Sequence, residues 1–170
     1  MKPLRSLAPT FLVAMLLAGC ASLGPPLFAP GTGMGEVESR MGKPRNVVKA
    51  PDGDTVWQYP SGPVGQTTFI VRFGPNDRTK AAYQALTVEE FAKIQRGITR
   101  DDVRLLLGPP GQTMYFGRMN EEIWSYRYQA SASDNRIFNV HFDAGTGHVR
   151  STSDQMDPLL NPWNMDGANT

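Results

Sequence analysis

Apolar positions along this chain follow three different rhythms. Between residues 7 and 17 they form a nearly unbroken run behind Lys2 and Arg5. Between residues 88 and 107 they recur at helical spacing. Phe91 and Ile94 lie three apart, and Val103, Leu106 and Leu107 form a stripe, so the pattern predicts two short helices, 88–95 and 100–107. Beyond them the period falls to two. Trp124, Tyr126 and Tyr128 share one face of a strand over 123–128, and Phe138, Val140 and Phe142 one face of a strand over 137–142. Earlier in the chain, Asp52-Gly53 turns into a strand over 55–59, and Gly74-Pro75-Asn76-Asp77 into one over 78–83. Asp143 to Gly147 turns the chain into a last strand over 148–152.

The helix ends carry their own signals. Thr87 followed by Glu90 has the spacing of a capping box, and Gly97 closes that helix by taking a left-handed conformation. Thr99 caps the next helix, with Asp101 and Asp102 in the first turn, where the dipole favours negative charge. Gly108-Pro109-Pro110 stops it.

The same order of signals occurs twice. Val37 to Pro44 aligns with Val103 to Pro110 at an offset of 66, Trp57 and Tyr59 with Trp124 and Tyr126 at 67, and Phe69, Val71 and Phe73 with Phe138, Val140 and Phe142 at 69. The offset grows only where turns lie, as expected of a duplicated unit with loop insertions. The pattern therefore predicts an α+β fold of two tandem helix(-helix)-antiparallel-meander modules, 31–84 and 85–155. Pro25, Pro26 and Pro30 leave the first without room for its leading helix.

The N-terminal run is too short to span a bilayer and has the basic, apolar and small-residue regions of a secretory signal. It closes on Leu17-Ala18-Gly19-Cys20, which resembles a bacterial lipobox. That resemblance implies a signal peptide over 1–19 and a lipid anchor, palmitate included, on Cys20. A Pro-rich tether over 20–30 follows, and Ala21-Ser22 points to the outer membrane, facing the periplasm. Several acyl chains at about 0.8 kcal/mol per buried methylene hold stably. Cys20 is the only cysteine, so no intramolecular disulfide forms, and loss of Lys2 and Arg5 turns a formal charge of +1 into −1. No basic cluster offers the footprint of a nucleic-acid partner.

Candidate chemistry is sparse. Asp101-Asp102 and Glu121-Glu122 are adjacent carboxylates, whose side chains diverge on a helix and point to opposite faces of a strand. His141 and His148, with Asp143 nearby, could approach across the last hairpin as metal ligands, but the expectation is exposed strand histidines and no metal. Gly31-Thr32-Gly33-Met34-Gly35 follows no strand and carries no Lys, so it reads as helix cap rather than phosphate loop. Trp57 and Trp124 read as core, the alternative being partner anchors. Nothing pairs a nucleophile with a base, and the expectation is a non-catalytic protein without cofactor.

Gly97-Ile98-Thr99, Asp102-Val103, Leu106-Leu107-Gly108, Pro110, Trp124-Ser125-Tyr126, Val140-His141-Phe142-Asp143 and Gly147-His148-Val149 resemble the SmpA/OmlA (BamE-like) family of small outer-membrane lipoproteins. The resemblance covers residues 87–153 well and 31–84 weakly. It implies protein contact in envelope biogenesis, with β-barrel assembly as the best-known role, and an outer-membrane or periplasmic protein partner. The alternative is a periplasmic binding or inhibitory lipoprotein. Tandem modules of this kind are also similar to β-lactamase inhibitor proteins, whose disulfides a single cysteine cannot supply. The C-terminal tail over 156–170 reads as flexible, the alternative being a short segment that docks through Leu159, Leu160 and Trp163. An exposed edge strand of either module is the other candidate docking surface.

Overall fold

The computed structural model describes residues 27–160. Cys20, the signal peptide, most of the tether and Trp163 lie outside the described residues. In chain order the elements are α1 (Met34–Met41), β1 (Asn46–Lys49), β2 (Thr55–Pro60), β3 (Thr68–Phe73), β4 (Thr79–Gln84), α2 (Val88–Phe91), α3 (Arg100–Leu107), β5 (Gln112–Phe116), β6 (Glu121–Ser131), β7 (Asp134–Asp143) and β8 (Val149–Met156). The strands form two separate four-stranded antiparallel meanders, β1-β2-β3-β4 and β5-β6-β7-β8.

The period-two alternation places the side chains. Trp57 pairs with Val71 across β2 and β3, and with Phe73 and Val37 of α1 it forms one core. The opposite face of the same sheet carries Val56 and Ile70, which join Ala50 and Ala85 in a second core against which Leu105 of α3 packs. Val103 and Leu107 point the other way from α3, into a third core with Trp124, Tyr126, Phe138, Val140 and Phe142 of the second sheet. Residues four apart share a helix face, and one two positions on lies nearly opposite. This is how an eight-residue helix serves two sheets at once. The layers run α1, first sheet, α3, second sheet.

Thr99 and Asp102 close a reciprocal capping box at the start of α3: the Thr99 backbone N–H donates to Asp102 Oδ2 at 2.9 Å and the Asp102 N–H to Thr99 Oγ1 at 3.2 Å. Such a cap contributes about 1 kcal/mol. The box expected at Thr87 is only half made. Thr87 accepts from the Glu90 N–H at 3.4 Å, but the Glu90 carboxylate turns to Lys93 instead. The helix expected over 88–95 is correspondingly corrected to Val88–Phe91. The N–H groups of Lys93 and Ile94 reach back three residues rather than four, tightening the chain out of the α-helix. Phe91 and Ile94 are nevertheless buried.

Both ends of the described chain are anchored further out than the pattern suggested. Phe28, inside the stretch read as tether, is buried in the first core with Arg40 over its ring. At the other end β8 continues to Met156, and the buried Asp157 accepts from Arg127 Nε at 2.8 Å. The β5 strand went unforeseen, because Gln112 to Phe116 buries neither face and so shows no alternation.

Candidate functional site

Corresponding places in the two halves are built alike. After α1, Gly42 takes φ +76° and its carbonyl accepts from Tyr59 Oη at 3.2 Å; after α3, Gly108 takes φ +81° and its carbonyl accepts from Tyr126 Oη at 3.2 Å. Both tyrosines pair with phenylalanines across the sheet, Phe69 and Phe138, and both tryptophans with valines, Val71 and Val140. In each half a left-handed glycine lets the chain leave its helix, and a strand tyrosine pins that corner to the sheet. Burial pushes the Tyr126 phenol well above its ordinary range, so it remains a donor.

Gly108 also stands at the seam between the halves. A Cβ there would come within 2.9 Å of Thr68 Cγ2, so the end of α3 approaches β3 closely. The seam is sealed with hydrogen bonds. Buried Gln58 donates from Nε2 to the Arg104 carbonyl at 2.8 Å, and Gln66 donates to Asn135 Oδ1 at 2.7 Å and to the Tyr128 carbonyl at 3.2 Å. The Arg104 carbonyl also accepts from the Gly108 backbone N–H at 3.0 Å, so Gln58 adds a second bond to the last turn of α3.

Three of the paired carboxylates singled out in the sequence, Asp102, Glu121 and Glu122, have structural partners. Asp102 caps α3, and the hydrogen bonds from Thr99 hold its carboxyl below the usual carboxylate range. Glu122 accepts from the Trp124 indole N–H at 2.6 Å and faces Arg100 at 2.6 Å. Glu121 lies 3.1 Å from His141 Nδ1, and Ser153 Oγ 2.9 Å from His141 Nε2. The order hydroxyl, imidazole, carboxylate has the look of a catalytic relay, yet Ser153 is exposed on an edge strand. The trio ties β6, β7 and β8 together.

His148 sits apart, bridged to Thr99 at the start of α3. Asp143 turns to the Thr146 N–H at 2.8 Å and to Arg150 at 2.5 Å, partners that hold its carboxyl down to about 2. Among the described residues no three His, Cys, Asp or Glu side chains are grouped to hold a metal. Trp57 and Trp124 are buried, 9% and 4% exposed, and so belong to the cores rather than to a surface. Among the described residues no helix is long and apolar enough to cross a membrane.

The surface does carry one concentrated apolar feature. Met114, Tyr115 and Phe116 of β5 and Met119 of the following 3₁₀ turn are 37%, 66%, 40% and 56% exposed. Tyr115, Phe116 and Met119 meet around the β5–β6 hairpin with Gly117 and Arg118. The missing alternation that hid β5 from the sequence reading is the same property that leaves this strand bare.

Residues 84–152 match the family described as "Outer membrane protein assembly factor BamE domain", a similarity that lies in the second half of the chain. No curated protein matches the chain. Among solved structures, the DUF4309 family protein YjgB of Bacillus subtilis subsp. subtilis strain 168 shares 14% identity, covering 74% of this chain and 79% of its own, at a TM-score of 0.28.

Proposed function

We propose that this chain is a lipid-anchored outer-membrane protein that works by protein contact in envelope biogenesis, in the assembly of β-barrel proteins. The observation that carries the proposal is the BamE-domain match over residues 84–152. It coincides with the half in which the capping box, the Tyr126–Gly108 bond and the largest core lie. We read residues 1–19 as signal peptide, Cys20 as the lipidated residue and 31–84 as a diverged copy of the module in 85–155. The paired Tyr–Gly bonds and Trp–Val registers support the duplication. The protein needs no catalytic group in this role, since its work is to hold partners at the membrane.

Cys20→Ser tests both parts of the reading. Palmitate labelling should vanish and the chain should leave the outer membrane, while the unaltered chain, crosslinked in membranes, should copurify with barrel-assembly proteins. Normal labelling of the mutant would overturn the anchor. Crosslinks confined to soluble periplasmic proteins would overturn the role in assembly.

A further inference from the structure

A cleft of about 340 Å³ opens at the seam between the halves. Pro60 and Pro63 wall it from the first half, Pro109 and Pro110 from the second, and Arg45 stands beside them. The walls lie close together, since a Cβ on Gly111 would come within 2.4 Å of the Pro63 carbonyl oxygen. Pro60, Pro109 and Pro110 are half-buried, whereas Arg45 is exposed. Among the described residues no carboxylate lines the cleft, so the Arg45 guanidinium is its only charge. The described chain runs to the rim of this cleft. After β8 the Asp157 N–H donates to the Asn135 carbonyl at 2.9 Å, and the Leu160 carbonyl accepts from Asn135 Nδ2 at 3.4 Å. Asn135 Oδ1 in turn accepts from Gln66 at 2.7 Å, in the loop over 61–67 that carries Pro63. One asparagine side chain thus links Leu160 to the wall of the cleft.

We propose that residues 161–170, which lie outside the described residues, dock in this cleft, with the Trp163 ring against the prolines and Asp166 paired with Arg45. Reach, shape and charge select that occupant. Trp163 follows Leu160 by three residues, a span of about 10 Å when extended, and Leu160 already stands at the loop that walls the cleft. An aromatic ring lies flat against proline rings, the pairing by which Pro-rich segments dock in aromatic-lined grooves, here with the roles exchanged. Asp166 is the only charged side chain of 161–170, as Arg45 is of the cleft, and a single pair of opposite charges fixes the register of an apolar contact. Covalent linkage adds to all three. A linked segment meets its site at an effective concentration of about millimolar, so a contact too weak for a free peptide is still filled. Both halves wall the cleft, so the docked segment straps the first half to the second, beside the bonds from Gln58 and Gln66. The inference goes beyond the reading of the chain as an assembly protein and needs neither the anchor nor a partner.

The test follows Trp163 in the full-length chain in mild detergent by acrylamide quenching, its emission isolated by subtracting that of the same chain carrying Trp163→Phe. Trp57 and Trp124 are buried and should be quenched little. Trp163 should be shielded severalfold relative to a free peptide of residues 158–170. Arg45→Glu should expose it, lowering the docking equilibrium about fivefold, the reach of one exposed ion pair. Combining Arg45→Glu with Asp166→Arg should restore the shielding, and Arg118→Glu, beyond the other end of β5, should leave it unchanged. Arg45 and Arg118 are both exposed, so these variants should keep the circular dichroism of the unaltered chain. Shielding no greater than in the peptide, no effect of Arg45→Glu, an equal effect of Arg118→Glu, or a reversed pair that fails to restore the shielding would each overturn the proposal. So would shielding that fades on dilution, because the segment would then be docking on a second copy.

Discussion

The two halves of the chain solve the same packing problem with different amounts of help. Each folds a four-stranded meander against a helix that ends in a left-handed glycine pinned by a tyrosine. In the second half the helices and a single sheet face hold twelve buried residues in one core, and the opposite face is polar, with Ser125 bonded to Asn139 at 2.7 Å and His141 held between Glu121 and Ser153. The first sheet is apolar on both faces. Its α1, capped by Gly33 with no side-chain bond, covers only one of them, and Leu105 from the other half's helix closes the second. A sheet that is apolar on both faces needs a cover on each. The first half is therefore completed by the second, and the second needs no such completion.

Separating the halves should break the comparison most sharply. Residues 85–160 should fold alone, whereas residues 27–84 should not, having lost Leu105 and the carbonyl that Gln58 meets. The intact chain should melt in one transition, as a cooperative unit does. A folded first half, or two separated calorimetric transitions, would show that α3 is not the shared element.

A smaller effect comes from the matched tryptophans. Trp57→Ala and Trp124→Ala should each cost about 3–5 kcal/mol in urea melts, as large buried aromatics do. Trp124 should be the costlier of the two. Its indole N–H donates to Glu122 at 2.6 Å and Arg104 stands 5.1 Å above its ring, while Trp57 is held chiefly by its edge contact with Phe73. Equal losses would mean that packing alone sets both values.

Acid should produce the smallest and most graded effect. Asp54 in the first half is held below its ordinary value by hydrogen bonds from Lys80 and then Arg72, and Asp143 in the second lies at about 2, held chiefly by the Thr146 N–H. Both carboxyls are depressed on folding, so their stabilisation is present above the unfolded value, about pH 4, and is lost as pH falls through the folded values. Stability should decline from about pH 4 toward pH 2. Asp54→Asn and Asp143→Asn should each flatten part of that decline, and unchanged acid profiles would remove these pairs from the account.

Local chemistry explains which parts of this structure were legible in advance. The helix Arg100–Leu107 is announced by Thr99, its acidic first turn and the stop after Leu107, all within one stretch of chain. The strands with Trp124, Tyr126 and Tyr128, and with Phe138, Val140 and Phe142, show their buried face as a period of two. These features are fixed by neighbours a few residues away, so the sequence by itself determined them. Tertiary structure decided the rest. Whether Glu90 returned to Thr87 or turned to Lys93, and how soon the helix after Thr87 tightened, depended on packing around Phe91. That Leu105 serves the first sheet while Val103 serves the second cannot be read from a helical stripe, because the stripe gives directions and not the layers that lie along them. The bare edge at β5 was hidden for a related reason. A strand that buries no face leaves no periodic trace, and its exposure exists only once three folded strands lie on one side of it and, among the described residues, no strand on the other.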